Sequence, residues 1–98
     1  MIRSFRNLGT EDVFHSRRTR AASRVCPPEL WSIAKRKMDR INQAHVLDDL
    51  RVPPGNRLEA LRGDRKGQHS IRINRQYRIG FTWINDGADA VEIVDYHD

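Results

Sequence analysis

The last third of the chain alternates between apolar and polar positions. Tyr77, Ile79, Phe81 and Trp83 take turns with Arg78, Gly80 and Thr82, and Ile71 and Ile73 with Ser70 and Arg72. Successive side chains of a strand point to opposite faces, so each run predicts a strand with one apolar and one polar face. Asn85-Asp86-Gly87 is a turn signal between two strands. Val91-Glu92-Ile93-Val94 then closes the sheet. Upstream the period is different. Leu30, Ile33, Ala34, Met38 and Ile41, with Ala44 one step further, recur at helical spacing, and Lys35, Arg36, Asp39 and Arg40 fill the other side. The pattern predicts an amphipathic helix of about four turns. Pro27-Pro28-Glu29 opens it, because a proline in the first turn forfeits an N–H that has no helical partner there. Trp31 and Met38 read as packing residues, and His45 near the helix end as structural or solvated.

Weaker signals fill in the remainder. Ile2 and Phe5 in Met1-Ile2-Arg3-Ser4-Phe5 predict a short strand. Gly9-Thr10-Glu11-Asp12-Val13-Phe14 predicts a short helix. Thr10 would be its cap, Glu11 and Asp12 would sit at the positive end of its dipole, and Val13 and Phe14 would face inward. Ser16-Arg17-Arg18-Thr19-Arg20 has no apolar member and reads as a basic loop or a solvent-facing helix end. Residues 46–50 read as a connector. Val52-Pro53-Pro54-Gly55-Asn56 is a turn-rich break, and neither side of it has enough apolar mass to fold alone. The predicted architecture is α+β: an N-terminal strand and two helices packed on an antiparallel sheet. One domain is expected over residues 1–98.

Charge changes the picture of what this sheet faces. The chain has 98 residues and a formal net charge of +5. Residues 51–78 carry eight basic and two acidic groups, whereas residues 79–98 carry five acidic groups and neither Lys nor Arg. A basic excess concentrated just before the final hairpin suits phosphate or an acidic protein partner. A solvated arginine-rich surface is the plainer alternative. Cys26 is the single cysteine, which fits a reduced cytoplasmic protein. No N-terminal apolar run resembles a signal peptide and no stretch reaches transmembrane length.

Familiar cofactor motifs are missing. There is no Walker-type phosphate loop and no paired-cysteine zinc signature. His15, His45, His69 and His97 lack metal-ligand spacing, and Ser70 has no nucleophile-elbow context. No metal or cofactor is expected. What remains is a basic sheet ending in Asp95-Tyr96-His97. Cleavage of RNA by its own 2′-hydroxyl needs a base at that hydroxyl, cations around the crowded phosphorane and an acid at the departing 5′ oxygen. Imidazole can serve as acid or base, and arginine can hold two phosphate oxygens in one plane. On chemistry alone, the terminal cluster reads either as a catalytic rim or as an ordinary strand end.

From Leu58 onward the chain reads Leu-x-x-Leu-Arg-Gly-Asp-Arg-x-Gly, then Ser-Ile-x-Ile-Asn-x-Gln-x-Arg-Ile-x-Phe, then Asp-Tyr-His. This pattern resembles the HigB branch of the RelE/ParE toxin superfamily, and the opening segment and main helix extend the resemblance over essentially the whole chain. The resemblance implies a compact toxin paired with a small helix-turn-helix antitoxin of the HigA kind, which reaches operator DNA only as part of that complex. It also implies a ribosome-dependent endoribonuclease acting on messenger RNA. Matched position by position, His97 would be the acid or base. Arg78 and Arg62 would stabilise the phosphate and transition state, and Tyr96 and Asp95 would orient. Arg65, Lys66, Arg72, Arg75 and Gln76 would contact RNA. In one respect the chain departs from the pattern: some members have a histidine three residues before Arg62, where this chain has Glu59. Either His97 takes on more of the proton transfer, or Glu59 substitutes as a base, or the protein is a weaker member. Strand parity puts Asp95 and His97 on one face and Tyr96 on the other. Two other functions fit the same fold: a gyrase-directed poison that cleaves no RNA, and a non-catalytic RNA-binding module that represses its own operon with a partner.

Overall fold

The computed structural model describes residues 1–96. Three α-helices, α1 (Leu8–Phe14), α2 (Arg20–Val25) and α3 (Trp31–Gln43), precede four strands, β1 (Glu59–Ala60), β2 (His69–Arg72), β3 (Tyr77–Ile84) and β4 (Gly87–Asp95). The strands form one antiparallel sheet in the order β1-β2-β3-β4. Ile71, Ile79, Phe81, Val91 and Ile93 form its buried face and pack with Val13, Ala34, Met38 and Ile41 of α1 and α3. Among the described residues, no helix is long and apolar enough to cross a membrane.

The helical half departs from the sequence reading at the cap of α1 and at α2, a third helix where two were expected. Asn7, not Thr10, caps α1, accepting from the Thr10 N–H at 2.8 Å. The Thr10 hydroxyl is fully buried and accepts instead from the Ile93 N–H of β4 at 3.0 Å. The run at residues 16–20, expected as a basic loop or a solvent-facing helix end, leads into an unexpected helix, since α2 begins at Arg20. Thr19 caps that helix through the Ala22 N–H and donates its own hydroxyl to buried Asp12 at 2.7 Å. Gly9 lets the two helices touch, since a Cβ there would lie 2.6 Å from Val25 Cγ1 and against the Ala21 carbonyl. Trp31 at the head of α3 donates from Nε1 to the carbonyls of Ala22 and Cys26, fixing α3 against the end of α2.

The expected N-terminal strand is present only as two parallel bridges to β4, Ile2 with Ala88 and Phe5 with Val91. The cause lies in β4. Its register against β3 shifts between Gly80 and Thr82, and Ala90 takes the left-handed conformation (φ 51°). A bulge leaves its extra residue unpaired and bends the strand that carries it. Ser4 fills the gap, with its hydroxyl accepting from the Ala90 N–H and donating to Asp89.

Candidate active site

The face of the sheet opposite the apolar core carries Glu59, Ser70, Arg72, Arg78, Glu92 and Val94, as the strand registers dictate. Arg72 and Arg78 are direct cross-strand partners. Like charges directly opposite one another destabilise a sheet, so this pair is retained against a local cost. Arg78 is 9% exposed and heavily tied. Its Nε donates to the Ser70 hydroxyl at 2.6 Å, and its Nη2 to the carbonyls of Arg57 at 2.6 Å and Ser70 at 3.3 Å. Its Nη1 lies 3.7 Å from Glu59 Oε1.

The Arg57 carbonyl reaches Arg78 because of the turn before it. Arg57 is left-handed (φ 47°), after a 3₁₀ turn at Pro54–Asn56. Fully buried Asn56 holds that turn: its amide donates to the carbonyls of Leu50 and Val52 at 3.2 Å each, and its Oδ1 accepts from Lys37 on α3. On the other side of the site, Asn74 Oδ1 accepts from the N–H groups of Gln76 at 2.9 Å and Tyr77 at 2.7 Å, closing the β2–β3 turn. The Gln76 carbonyl in turn accepts from the Tyr96 N–H at 2.7 Å.

These elements enclose a cavity of about 460 Å³ lined by Arg57, Glu59, Arg72, Asn74, Arg75, Gln76, Arg78 and Tyr96. A neighbouring cavity of about 560 Å³ is lined by Glu59, Ala60, Leu61, Arg62 and Tyr96. The two share Glu59 and Tyr96. Four arginines surround the first cavity and Glu59 is its only carboxylate among the described residues. Such an arrangement suits an anion with several oxygens, which guanidinium groups bind in bidentate fashion.

The expected site residues separate into groups. Arg72, Arg75, Gln76, Arg78 and Tyr96 come together in the first cavity, and Arg62 lines the second. Arg65 is on the same sheet face but is turned to Glu92 at 3.3 Å and Gln68 at 3.2 Å. Lys66 is exposed at the end of the Gly63–Arg65 turn. Asp95 pairs in register with Tyr77, on the core-side face, and accepts from Gln76 Nε2 at 3.1 Å. Burial first, and Asp95 next, push the Tyr77 phenol above its ordinary pKa. His97 lies outside the described residues. Sequence reasoning missed Arg57, Asn74 and the anchoring part of Ser70. The Pro-Pro-Gly-Asn turn was the available signal for Arg57, and the strand parity shared with Arg72 was the signal for Ser70.

The family model described as RelE-like toxin of type II toxin-antitoxin system HigB matches residues 3–97. The chain is 42% identical over 74 residues to Toxin HigB-1 of Vibrio cholerae serotype O1 (strain ATCC 39315 / El Tor Inaba N16961), covering 76% of this chain and 77% of that one. It is 38% identical over 60 residues to an uncharacterized protein of Haemophilus influenzae (strain ATCC 51907 / DSM 11121 / KW20 / Rd), covering 61% and 59%. With Endoribonuclease HigB of Proteus vulgaris it shares 29% identity over 103 aligned positions, covering 99% and 100%.

Proposed function

Because the chain belongs to the HigB-like family of RelE-like toxins of type II toxin–antitoxin systems, we propose that it is an endoribonuclease that cuts messenger RNA on the ribosome, in the cytoplasm, with the arginine-lined cavity as its active site. The observation that carries this reading is the convergence of Arg57, Arg72, Arg75 and Arg78 on one cavity, with Arg72 and Arg78 held face to face across two strands. A sheet tolerates that repulsion when a polyanion relieves it. The endoribonuclease name of the Proteus vulgaris relative, aligned over nearly the whole chain, supports the same reading.

Arg78 binds the scissile phosphate and stabilises the charge that grows on its oxygens, which is the largest contribution expected of fixed cations in such a site. Arg72, its cross-strand partner in the same cavity, takes the companion part that the resemblance gave to Arg62, which lines the neighbouring cavity. Arg62 holds the strand on the far side of Glu59 and Tyr96. Arg75 and Gln76 line the path of the message, and Arg65 and Lys66 contact RNA beyond it. Tyr96 orients the phosphate, and Asp95 orients the strand end through Gln76. His97 transfers a proton to or from the reacting oxygens, and no metal takes part. Membership of a type II system implies an antitoxin partner.

The test is His97→Gln. We expect expression of wild type to arrest growth and the variant to lose that effect while its circular dichroism stays native. A folded variant as toxic as wild type removes His97 from the mechanism.

A further inference from the structure

We infer that Glu59 is the general base of the cleavage, an assignment that rests on the nuclease reading above. Glu59 and Tyr96 are the two residues common to both cavities, so an RNA strand crossing from one to the other passes over them. Of all the described residues lining either cavity, only Glu59 carries a carboxylate. It sits on β1, the edge strand, directly opposite Ser70. Ser70 holds Arg78, so the carboxylate and the phosphate-binding guanidinium are positioned from one pair of strand residues.

A structural role accounts poorly for this carboxylate. Its side chain is 54% exposed and its approach to Arg78 Nη1 is 3.7 Å, and exposed ion pairs contribute little to stability. A negative charge in a cavity built for a polyanion also weakens binding of that polyanion. Proton abstraction is a reason to keep it. The 2′-hydroxyl of RNA is adjacent to the phosphate it attacks. A base a few ångströms from the phosphate-binding arginine therefore lies within reach of that hydroxyl once the phosphate is seated.

In the step, the Glu59 carboxylate takes the 2′-hydroxyl proton as the 2′ oxygen forms its bond to phosphorus. The bond from phosphorus to the 5′ oxygen breaks, and the departing oxygen receives a proton from His97, which is thereby assigned the acid's part. The products are a 2′,3′-cyclic phosphate and a 5′-hydroxyl. Exchange with water returns the proton from Glu59 and reprotonates His97, so no oxidant, reductant or further reactant is needed.

The experiment compares wild type, Glu59→Gln and Glu59→Asp in single-turnover cleavage of ribosome-bound message, alongside binding of a short 2′-deoxy analogue that cannot be cut. The expected result is a fall of about 10²–10³-fold in the Glu59→Gln cleavage rate, with analogue binding equal to or tighter than wild type. The acid-side limb of the pH–rate profile should vanish in Glu59→Gln and return in part in Glu59→Asp. Glu59→Gln cutting at the wild-type rate or faster, with that limb intact, overturns the assignment while leaving the nuclease reading in place. Wild type that cuts no ribosome-bound message overturns the nuclease reading, and this assignment with it.

Discussion

Removing the Ser70 hydroxyl tests whether Arg78 is held as described. In Ser70→Ala the Arg78 Nε loses an acceptor at 2.6 Å, at a position only 1% exposed. Water cannot readily replace that acceptor. A hydrogen bond to a charged group contributes about 1.5–3 kcal/mol, and the missing oxygen leaves too small a void to add much. The guanidinium keeps the carbonyls of Arg57 and Ser70, so the loss should stay within that range. For a chain of 98 residues, roughly 2.1 cal/mol/K per residue makes 1 kcal/mol about 5 °C in Tm, and the expected drop is about 7–15 °C. Ser70→Thr keeps the hydroxyl on a strand that favours β-branched residues and should recover most of it. Urea unfolding of Ser70→Ala, Arg78→Met and the double variant should show a coupling of at least about 1 kcal/mol between the two sites. Effects that simply add, or a Ser70→Ala loss under about 0.5 kcal/mol, would refute the anchoring of Arg78 by Ser70.

Gly9→Ala should destabilise by about 1–3 kcal/mol through overpacking, because the new methyl meets Val25 Cγ1 and the Ala21 carbonyl; a urea midpoint equal to wild type would contradict the close contact of α1 with α2. Burial, and then the nearby Glu29, push the Cys26 thiol up to about 11, so native protein at pH 7.5 should react with iodoacetamide far more slowly than urea-unfolded protein, and equal rates would show the thiol to be accessible. Backbone N–H groups of His45 and Val46 hold the Asp49 carboxyl below its ordinary pKa. Its contribution is therefore present above the ordinary carboxylate pKa and lost as pH falls through the lower folded value. Asp49→Asn should accordingly be less stable than wild type at pH 7, with the difference in Tm closing on acidification; a difference independent of pH would contradict this.

The sheet was legible because the apolar positions of β2 and β3, and of β4 beyond its bulge, keep a period of two around a single core, and that period alone put Arg72 and Arg78 on the polar face. The main helix was legible for the same reason at its own period. α2 was not, because its six residues carry only Ala21, Ala22 and Val25 as apolar members between arginines, and it is held by the Thr19 cap and by Trp31. β1 has two residues, too few to show any period, so the position of Glu59 opposite Ser70 had to come from the fold. The Arg57 carbonyl is a main-chain group delivered by a left-handed residue, and no side-chain pattern announces it. Parity separated Asp95 from Tyr96 in advance, and the pairing of Asp95 with Tyr77 agrees with that separation.

RNA cleavage in the arginine cavity should leave its mark on cellular transcripts. Its most direct test maps 5′ ends across cellular messenger RNA after brief induction of wild type and of Arg78→Lys, which keeps the charge but loses the planar fork. Discrete new ends within coding regions are expected for wild type, and their near disappearance for a folded Arg78→Lys. Growth arrest by wild type without new ends, accompanied by DNA breaks, would contradict RNA cleavage there.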